Sequence, residues 1–230
     1  MTFNIIVISV QSTDAPTMAA PAQRLSEIGI ENRTMALNST DIDDDIELYH
    51  DLAAFTSQAD FVFIRCMSDP SKFHRFDRYE KVLRNSKALV LLYSGNAEVT
   101  MLNRPLFKGN DEQFKCMTKY AANRGAENEY ALYLCAARVL GLTDVPLPDI
   151  KENPVDGIYI PGYEGTPTVD RILSTFDPDK PTVGIMFTSS NMVYHNTDHI
   201  DKAAEILSSM GMNVYPIFYT ALSYAVEGHP

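Results

Sequence analysis

The sequence predicts an α/β fold: a doubly wound parallel sheet in the strand order 2-1-3-4, with helices on both faces. Over the first 142 residues, short apolar runs alternate with longer amphipathic segments. The apolar runs are rich in Ile, Val, Leu and Phe and do not alternate with polar residues, which is typical of strands buried on both faces. Parallel strands joined through helices need right-handed crossovers, so the third helix must cover the face opposite the first.

The elements of this predicted head domain follow from the apolar runs and from the residues between them. Gly29 ends the first helix as a C-cap residue, and Asp69-Pro70 opens the third helix with proline at its first position. Acidic residues between Asp41 and Asp45 crowd the first turn of the second helix, where carboxylates favour the helix dipole. The predicted strands are residues 3–10, 30–37, 60–66 and 88–93, and the predicted helices are 15–28, 39–57, 69–85, 111–123 and 126–140. An irregular stretch is predicted over residues 94–109.

Residues 143–181 differ in composition from the head domain because seven prolines fall among them. Proline removes a backbone donor and restricts its neighbour, so these residues are predicted to form an extended linker with one short helix over 169–176. The strand–helix pattern then restarts. The predicted elements are strands 182–187 and 213–219, a helix 197–210, and the beginning of a helix at 222–226.

Two strands and one helix are too few to bury a hydrophobic core by themselves. The last 49 residues are therefore expected to be the incomplete beginning of a second domain, or to pack on the first. The predicted domains are a head domain at 1–142, a proline-rich linker at 143–181 and the beginning of a second α/β domain at 182–230.

Composition excludes several classes of function. The net charge of −11 argues against a nucleic-acid partner, because phosphate binding needs a basic face. No apolar run reaches the roughly 18 residues that span a bilayer, and the N-terminus lacks the basic region and cleavage site of a signal peptide. The cysteines Cys66, Cys116 and Cys135 form no CxxC pair, so we expect reduced thiols in a cytoplasmic protein.

Ligands of such sheets bind at the carboxyl ends of the strands, near the reversal of strand order. In this chain those ends lead into residues 11–14, 66–69 and 94–96. Neither a GxGxxG nor a GxxxxGK[ST] motif occurs, so a glycine-rich phosphate site is unsupported. A receiver domain with the same flavodoxin-like order needs an acidic pair after the first strand and an aspartate ending the third. The chain has Gln11-Ser12-Thr13 and Ile64-Arg65-Cys66 there.

The richest polar segment runs from Thr188 to His199, between a buried strand and a helix. Its position predicts ligand contacts, and the candidate substrate-binding residues are Ser189, Ser190, Asn191, His195 and Asn196. His195 and His199 are four residues apart, so both can face one metal ion if the stretch is helical. The alternative is a polar surface in which Asn196 or Thr197 caps the following helix. No catalytic residue is identified.

Four motifs occur in a fixed order in the second half of the chain. They are Tyr120–Asn128 (tyrosine, a turn with glycine, Glu-Asn) before an apolar helix, Gly157–Pro161, Lys180–Phe187, and Asn196–Asp201 followed by Gly211–Phe218. In this order they resemble the large subunit of ATP-dependent cobaltochelatase and magnesium chelatase (CobN type). The chain departs from the family's pattern at Ile160, where the family has histidine, and at His195, where it has the glycine before Asn-Thr.

The resemblance implies that the chain is the N-terminal portion of this subunit, without catalytic activity or a cofactor of its own. It implies that the complete subunit holds a tetrapyrrole or corrinoid ring and the incoming cobalt or magnesium ion. AAA+ partner subunits would hydrolyse ATP with Mg²⁺ to drive insertion. The alternative is a free-standing, non-catalytic α/β module for binding or docking.

Overall fold

The computed structural model describes residues 2–10, 13–163 and 167–220. Two compact units divide the chain, Met1–Lys151 and Glu152–Pro230. The strands of the first unit are β1 (Phe3–Val10), β2 (Asn32–Asn38), β3 (Phe61–Cys66) and β4 (Leu89–Ser94). Its α-helices are α1 (Ala15–Ala19), α2 (Ser39–Asp44), α3 (Ile46–Thr56), α4 (Phe76–Asn85), α5 (Ala97–Leu102), α6 (Asp111–Asn123) and α7 (Gly125–Val139).

The four strands of the first unit form one sheet in the order β2-β1-β3-β4, and all neighbouring strands are parallel. This confirms the predicted fold class and strand order. In β1, Ile6 pairs with Met35 of β2 and with Val62 of β3. The continuous apolar runs predicted strands buried on both faces. Every residue of β3 is indeed buried, including the charged residue Arg65.

Three helices predicted as continuous are divided in the structure, and the first two lie on either side of β2. Residues 15–28 form α1 and then a 3₁₀ helix (Ala20–Ile28), since Pro21 has no amide hydrogen to donate. The left-handed backbone of Gly29, with φ of 81°, ends it as predicted. Residues 39–57 form α2 and α3, which meet at Asp45. The Asp45 carboxylate accepts hydrogen bonds from the amides of Glu47 and Leu48 at 2.9 and 3.2 Å, so the acidic cluster does contain a helix cap.

The prediction of an irregular stretch at 94–109 was wrong. It contains α5 and a 3₁₀ turn (Arg104–Leu106). The Asn96 side chain begins α5 by accepting a hydrogen bond from the amide of Glu98 at 2.9 Å. The third predicted helix, 69–85, is likewise a short 3₁₀ turn (Pro70–Lys72) followed by α4.

The second unit contains β5 (Asp156–Ile158), α8 (Val169–Leu173), β6 (Thr182–Thr188), α9 (Ser189–Val193), α10 (Asp198–Ser209) and β7 (Asn213–Tyr219). Its sheet has the order β5-β7-β6, with β7 parallel to β6 and antiparallel to β5. Phe187, Ile200, Phe218 and Tyr159 form a small core on this sheet. The expectation of two strands and one helix was wrong, because β5 lies within residues predicted as linker and α9 within residues predicted as loop.

The helix predicted at 222–226 lies outside the described residues. Within the described ranges, no helix is both long and apolar enough to cross a membrane.

Candidate functional site

Polar side chains gather at the carboxyl ends of β6 and β7, which lie side by side because the two strands are parallel. Ser189, the first residue of α9, is buried, and its Oγ lies 2.8 Å from Oγ1 of Thr220. The Thr220 hydroxyl donates to the carbonyl of Val155 at 2.7 Å. This edge is where the sequence predicted a ligand, but the hydroxyls at its centre bond within the unit.

Asn191 connects the two ends of the polar segment. Its Oδ1 accepts a hydrogen bond from Oγ1 of Thr188 at 2.8 Å, and its Nδ2 donates to the carbonyl of Asn196 at 3.1 Å. Nε2 of His199 lies 3.5 Å from the same Nδ2. Of the other predicted substrate-binding residues, Ser190 is half-buried, and His195 and Asn196 are exposed. The five residues are therefore neighbours, and their role in substrate binding stays a prediction.

The geometric premise for a metal site at His195 and His199 was wrong. The stretch between them is not one helix, since α9 ends at Val193 and α10 begins at Asp198. His195 has φ of 54°, in the left-handed region. Its amide donates to the carbonyl of Met192 at 3.2 Å, and the next amide, of Asn196, donates to the carbonyl of Asn191 at 2.8 Å.

These two bonds form a Schellman motif at the end of α9, with His195 at the position that glycine usually occupies. That is the position where the chain departs from the family's glycine. His195 is thus part of the end of a helix. Thr197 precedes α10 as its N-cap residue, as predicted, but makes no side-chain capping bond.

Two of the four family motifs are joined by hydrogen bonds in the second unit. The hydroxyl of Tyr159, from Gly157–Pro161, donates to Oδ1 of Asp201 at 2.6 Å and lies 3.1 Å from Oγ1 of Thr197. Burial, together with the bond to Asp201, raises the pKa of Tyr159. The Tyr159 ring packs edge-on against Phe187 at 5.8 Å between centroids. These motif residues therefore hold β5, β6 and α10 together.

The first motif fixes the end of the first unit in the same way. The hydroxyl of Tyr120 donates to the carbonyl of Pro148 at 2.6 Å. The buried side chain of Asn128 donates to the carbonyls of Arg124 and Lys151 at 2.7 and 2.8 Å, and accepts from the amide of Lys151 at 3.0 Å. Tyr120 and Asn128 therefore tie residues 148–151 to the α6–α7 hairpin.

A buried ion pair lies at the carboxyl end of β3. Nη1 of Arg65 lies 2.9 Å from Oε1 of Glu129 on α7, and both side chains are at most 1% exposed. Nη2 of Arg65 also donates to the carbonyl of Ala121 at 2.7 Å. The pair therefore connects the sheet to both helices of the hairpin. Sequence reasoning missed it, although a charge inside an apolar buried strand is a signal of such a partner.

The three strand ends predicted to carry ligands have different surroundings. Residues 11 and 12 lie outside the described residues. At the end of β3, burial and then the nearby charge of Asp69 raise the pKa of the Cys66 thiol to about 12, so this thiol is neutral and unreactive at neutral pH. Asp69 accepts hydrogen bonds that cap the next turn, and these lower its pKa. Residues 94 and 95 border a cavity of about 480 Å³.

Across the described parts of the chain, no group of three or more His, Cys, Asp or Glu side chains is arranged to hold a metal ion. In the second unit, the polar side chains described above form hydrogen bonds that fix loops to strands. The side chains of His195, Asn196 and His199 are exposed at its polar edge.

Comparisons with known proteins agree with the motifs. A family model described as CobN/Magnesium Chelatase matches residues 118–229. The structure is similar to that of the catalytic subunit of cobaltochelatase from Mycobacterium tuberculosis, with a TM-score of 0.55 and 16% sequence identity. The similarity covers 95% of this chain and 16% of that chain. No curated protein matches the sequence.

The chain is therefore an α/β protein that shares the fold of part of a cobaltochelatase catalytic subunit. More specifically, residues 118–229 match the CobN/Magnesium Chelatase family model, which supports the resemblance predicted from the four motifs.

Proposed function

We propose that this chain is the N-terminal portion of a chelatase large subunit, which binds a corrinoid or tetrapyrrole ring for ATP-dependent insertion of cobalt or magnesium in the cytoplasm. The observation that carries the proposal is the family match over residues 118–229, which contains the four ordered motifs. The structural likeness adds support at the level of fold only.

The proposed role of this portion is to help line and gate the cavity that holds the ring. The motif residues Tyr120, Asn128, Tyr159 and Asp201 all hold chain segments in place. Residues with such roles specify a rigid framework for a site rather than the reacting groups of that site.

The proposal assigns metal insertion itself to the rest of the subunit, since the chain spans only 16% of the length of the cobaltochelatase chain that it matches. Insertion requires loss of the ring N–H protons and removal of water from the metal ion, which calls for basic side chains in a closed cavity. ATP hydrolysis is assigned to AAA+ partner subunits, which agrees with a sequence that carries no P-loop motif.

Titration with a corrinoid and with a porphyrin tests this proposal. The complete subunit, expressed from the natural reading frame, and the 230-residue chain are each titrated, and binding is followed by the absorbance of the ring. We expect saturable binding of one ring by the complete subunit. The proposal fails if a folded complete subunit binds neither ring.

A second candidate is a free-standing binding module without catalysis. The observation that favours it is the cavity beside β4, which lies entirely within the first unit. Reading the natural frame past the codon for Pro230 separates the two candidates, because an in-frame stop there supports the module and a long continuation supports the subunit.

A further inference from the structure

A cleft opens between α5 and α6 at the carboxyl end of β4. Its volume is about 480 Å³, within the range of pockets that hold small organic ligands. Ser94 and Gly95 lie at its strand end. A Cβ at residue 95 would lie 3.0 Å from the carbonyl oxygen of Met67, so a side chain there would crowd the backbone that follows β3.

The walls of the cleft are largely apolar. Phe114 of α6 is buried and Tyr93 of β4 is half-buried, so two aromatic rings contribute to the lining. Met101 of α5 is 59% exposed at the cleft, and Ala97 and Ala122 line it from opposite helices. The free energy falls when an apolar body covers the exposed surface of the methionine and of the aromatic rings.

Cations border this apolar surface. Lys115 and Lys119 lie one turn apart on α6, and both line the cleft with exposed side chains. Within the described residues, neither ammonium group has a carboxylate within 4.0 Å, whereas Arg104 at the same cleft pairs with Asp111 at 2.7 Å. In a chain with 30 acidic and 19 basic residues, these two lysines add two positive charges to the cleft beyond the Arg104–Asp111 pair.

We propose that this cleft binds an amphipathic organic anion, with an apolar ring body between α5 and α6 and a carboxylate at Lys115 and Lys119. The apolar walls exclude a small inorganic anion as the preferred ligand, because it would leave them in contact with water. The lysines disfavour a neutral or cationic ring. The inference stands apart from the proposed chelatase role, since it depends only on the first unit.

Two sources share this chemistry, a carboxylated macrocycle and a smaller aromatic acid. The test titrates the 230-residue chain with 1-pyrenebutyric acid, its methyl ester and deuteroporphyrin, and follows ligand or protein fluorescence. We expect saturable binding of the acid and about tenfold weaker binding of the ester. Tighter binding of the porphyrin than of pyrenebutyrate assigns the cleft to a macrocycle, and the reverse order assigns it to a smaller acid.

Variants locate the binding. Lys115→Met/Lys119→Met should weaken binding of the acid by about fivefold to tenfold and leave the ester unchanged. The control Lys81→Met/Lys87→Met removes the same charge from exposed positions elsewhere in the first unit, and should leave binding unchanged. Ala122→Phe, at an exposed helix position, should fill the cleft and weaken binding of every ligand. Circular dichroism checks that each variant is folded.

Three results would each overturn the proposal. They are an absence of saturable binding by the folded chain, equal affinity for acid and ester, and affinities that neither the lysine pair nor Ala122→Phe changes. Because these ligands are titrated into the chain without partner subunits, a negative result here leaves the ring titration of the complete subunit as a separate question.

Discussion

At residue 195 the backbone takes a conformation that suits glycine better than the histidine it carries. The Schellman motif at the end of α9 needs a left-handed residue there, and a side chain in that conformation is strained. A pair of histidines four residues apart looked like metal ligands in the sequence, but one of them ends a helix. A glycine at this position would meet the same backbone requirement without strain.

Replacing His195 with glycine should stabilise the second unit. We expect His195→Gly to raise the free energy of unfolding by about 0.5 kcal/mol, because relief of strain exceeds the added entropy of the unfolded chain. The matched control is His199→Gly within α10, where glycine should lower it by about 0.5 kcal/mol. Urea unfolding followed by circular dichroism measures both, and effects of the same sign would contradict the assignment.

The Arg65–Glu129 pair makes a second test at the scale of single residues. Its two side chains are almost completely removed from water at 2.9 Å, so loss of one charge leaves the other buried without its ionic partner. Glu129→Met should lower the free energy of unfolding by about 3–5 kcal/mol, and Arg65→Met by a similar amount.

The double variant Arg65→Met/Glu129→Met should recover much of that loss, because two apolar side chains replace the pair without leaving a buried charge. Chemical denaturation of the four proteins gives the coupling energy between the two residues. Additive effects of the two substitutions would show that the pair does not act as a unit.

At the scale of elements, the sequence predicted what depends on long local patterns. Strands β1, β3 and β4 are nearly continuous apolar runs, and their alternation with helices predicted the sheet order. Strand β5 was missed because it has three residues in a proline-rich segment. Its pairing depends on β7, in which Ile217 pairs with Ile158, 59 residues earlier in the chain. No local signal specifies such a distant partner.

The candidate site, too, combines features that the local sequence predicts with features that depend on distant partners. Polar composition after β6 predicted a site at this edge of the sheet, and that site stays a prediction. Whether Ser189 and Asn191 offer their polar atoms to a ligand depends on Thr220 and Thr188, and thus on tertiary contacts. The cleft beside β4 was not predicted in detail because α5, one of its walls, lay in residues expected to be irregular.

The α6–α7 hairpin carries two thiols that face each other. Sγ of Cys116 and Sγ of Cys135 are 3.7 Å apart, and burial, with a contribution from Cys116, raises the pKa of Cys135 to about 12. The thiol of Cys135 is therefore protonated at neutral pH.

Treatment with diamide should join Cys116 and Cys135, because a small approach of the helices brings the sulfurs to bonding distance. Each mole of disulfide removes two hydrogens, which pass to diamide. We expect that loss by mass spectrometry and a stabilisation of about 3 kcal/mol in urea. Cys116→Ser should abolish both effects and Cys66→Ser neither, and a link involving Cys66 would contradict the geometry.

At the scale of the whole molecule, buried thiols make the free energy of unfolding fall as the pH becomes alkaline. The pKa of Cys66 is about 12 in the folded chain, against 9.0 for the group in its ordinary state. The unfolded chain therefore loses this proton first as pH rises. The stabilisation is fully present below the unfolded pKa and is lost as pH rises through the folded pKa.

We expect the free energy of unfolding to fall by roughly 1–2 kcal/mol for this thiol between pH 7 and pH 10. Urea unfolding across that range measures the fall. Cys66→Ala should show a shallower decline than the parent chain, whatever its stability at pH 7. An equal slope in the two proteins would show that Cys66 ionises alike in the folded and unfolded states.

The central proposal is that this chain is part of the large subunit of a metal chelatase. The most direct measurement combines the complete subunit from the natural reading frame with AAA+ partner subunits, ATP, and cobalt or magnesium, and follows the absorption spectrum of a corrinoid or porphyrin. We expect the spectrum of the metallated ring only when ATP and the complete subunit are both present, and no change with the 230-residue chain alone. A folded complete subunit that metallates neither ring with either ion, in the presence of active ATPase partners, would contradict the proposal.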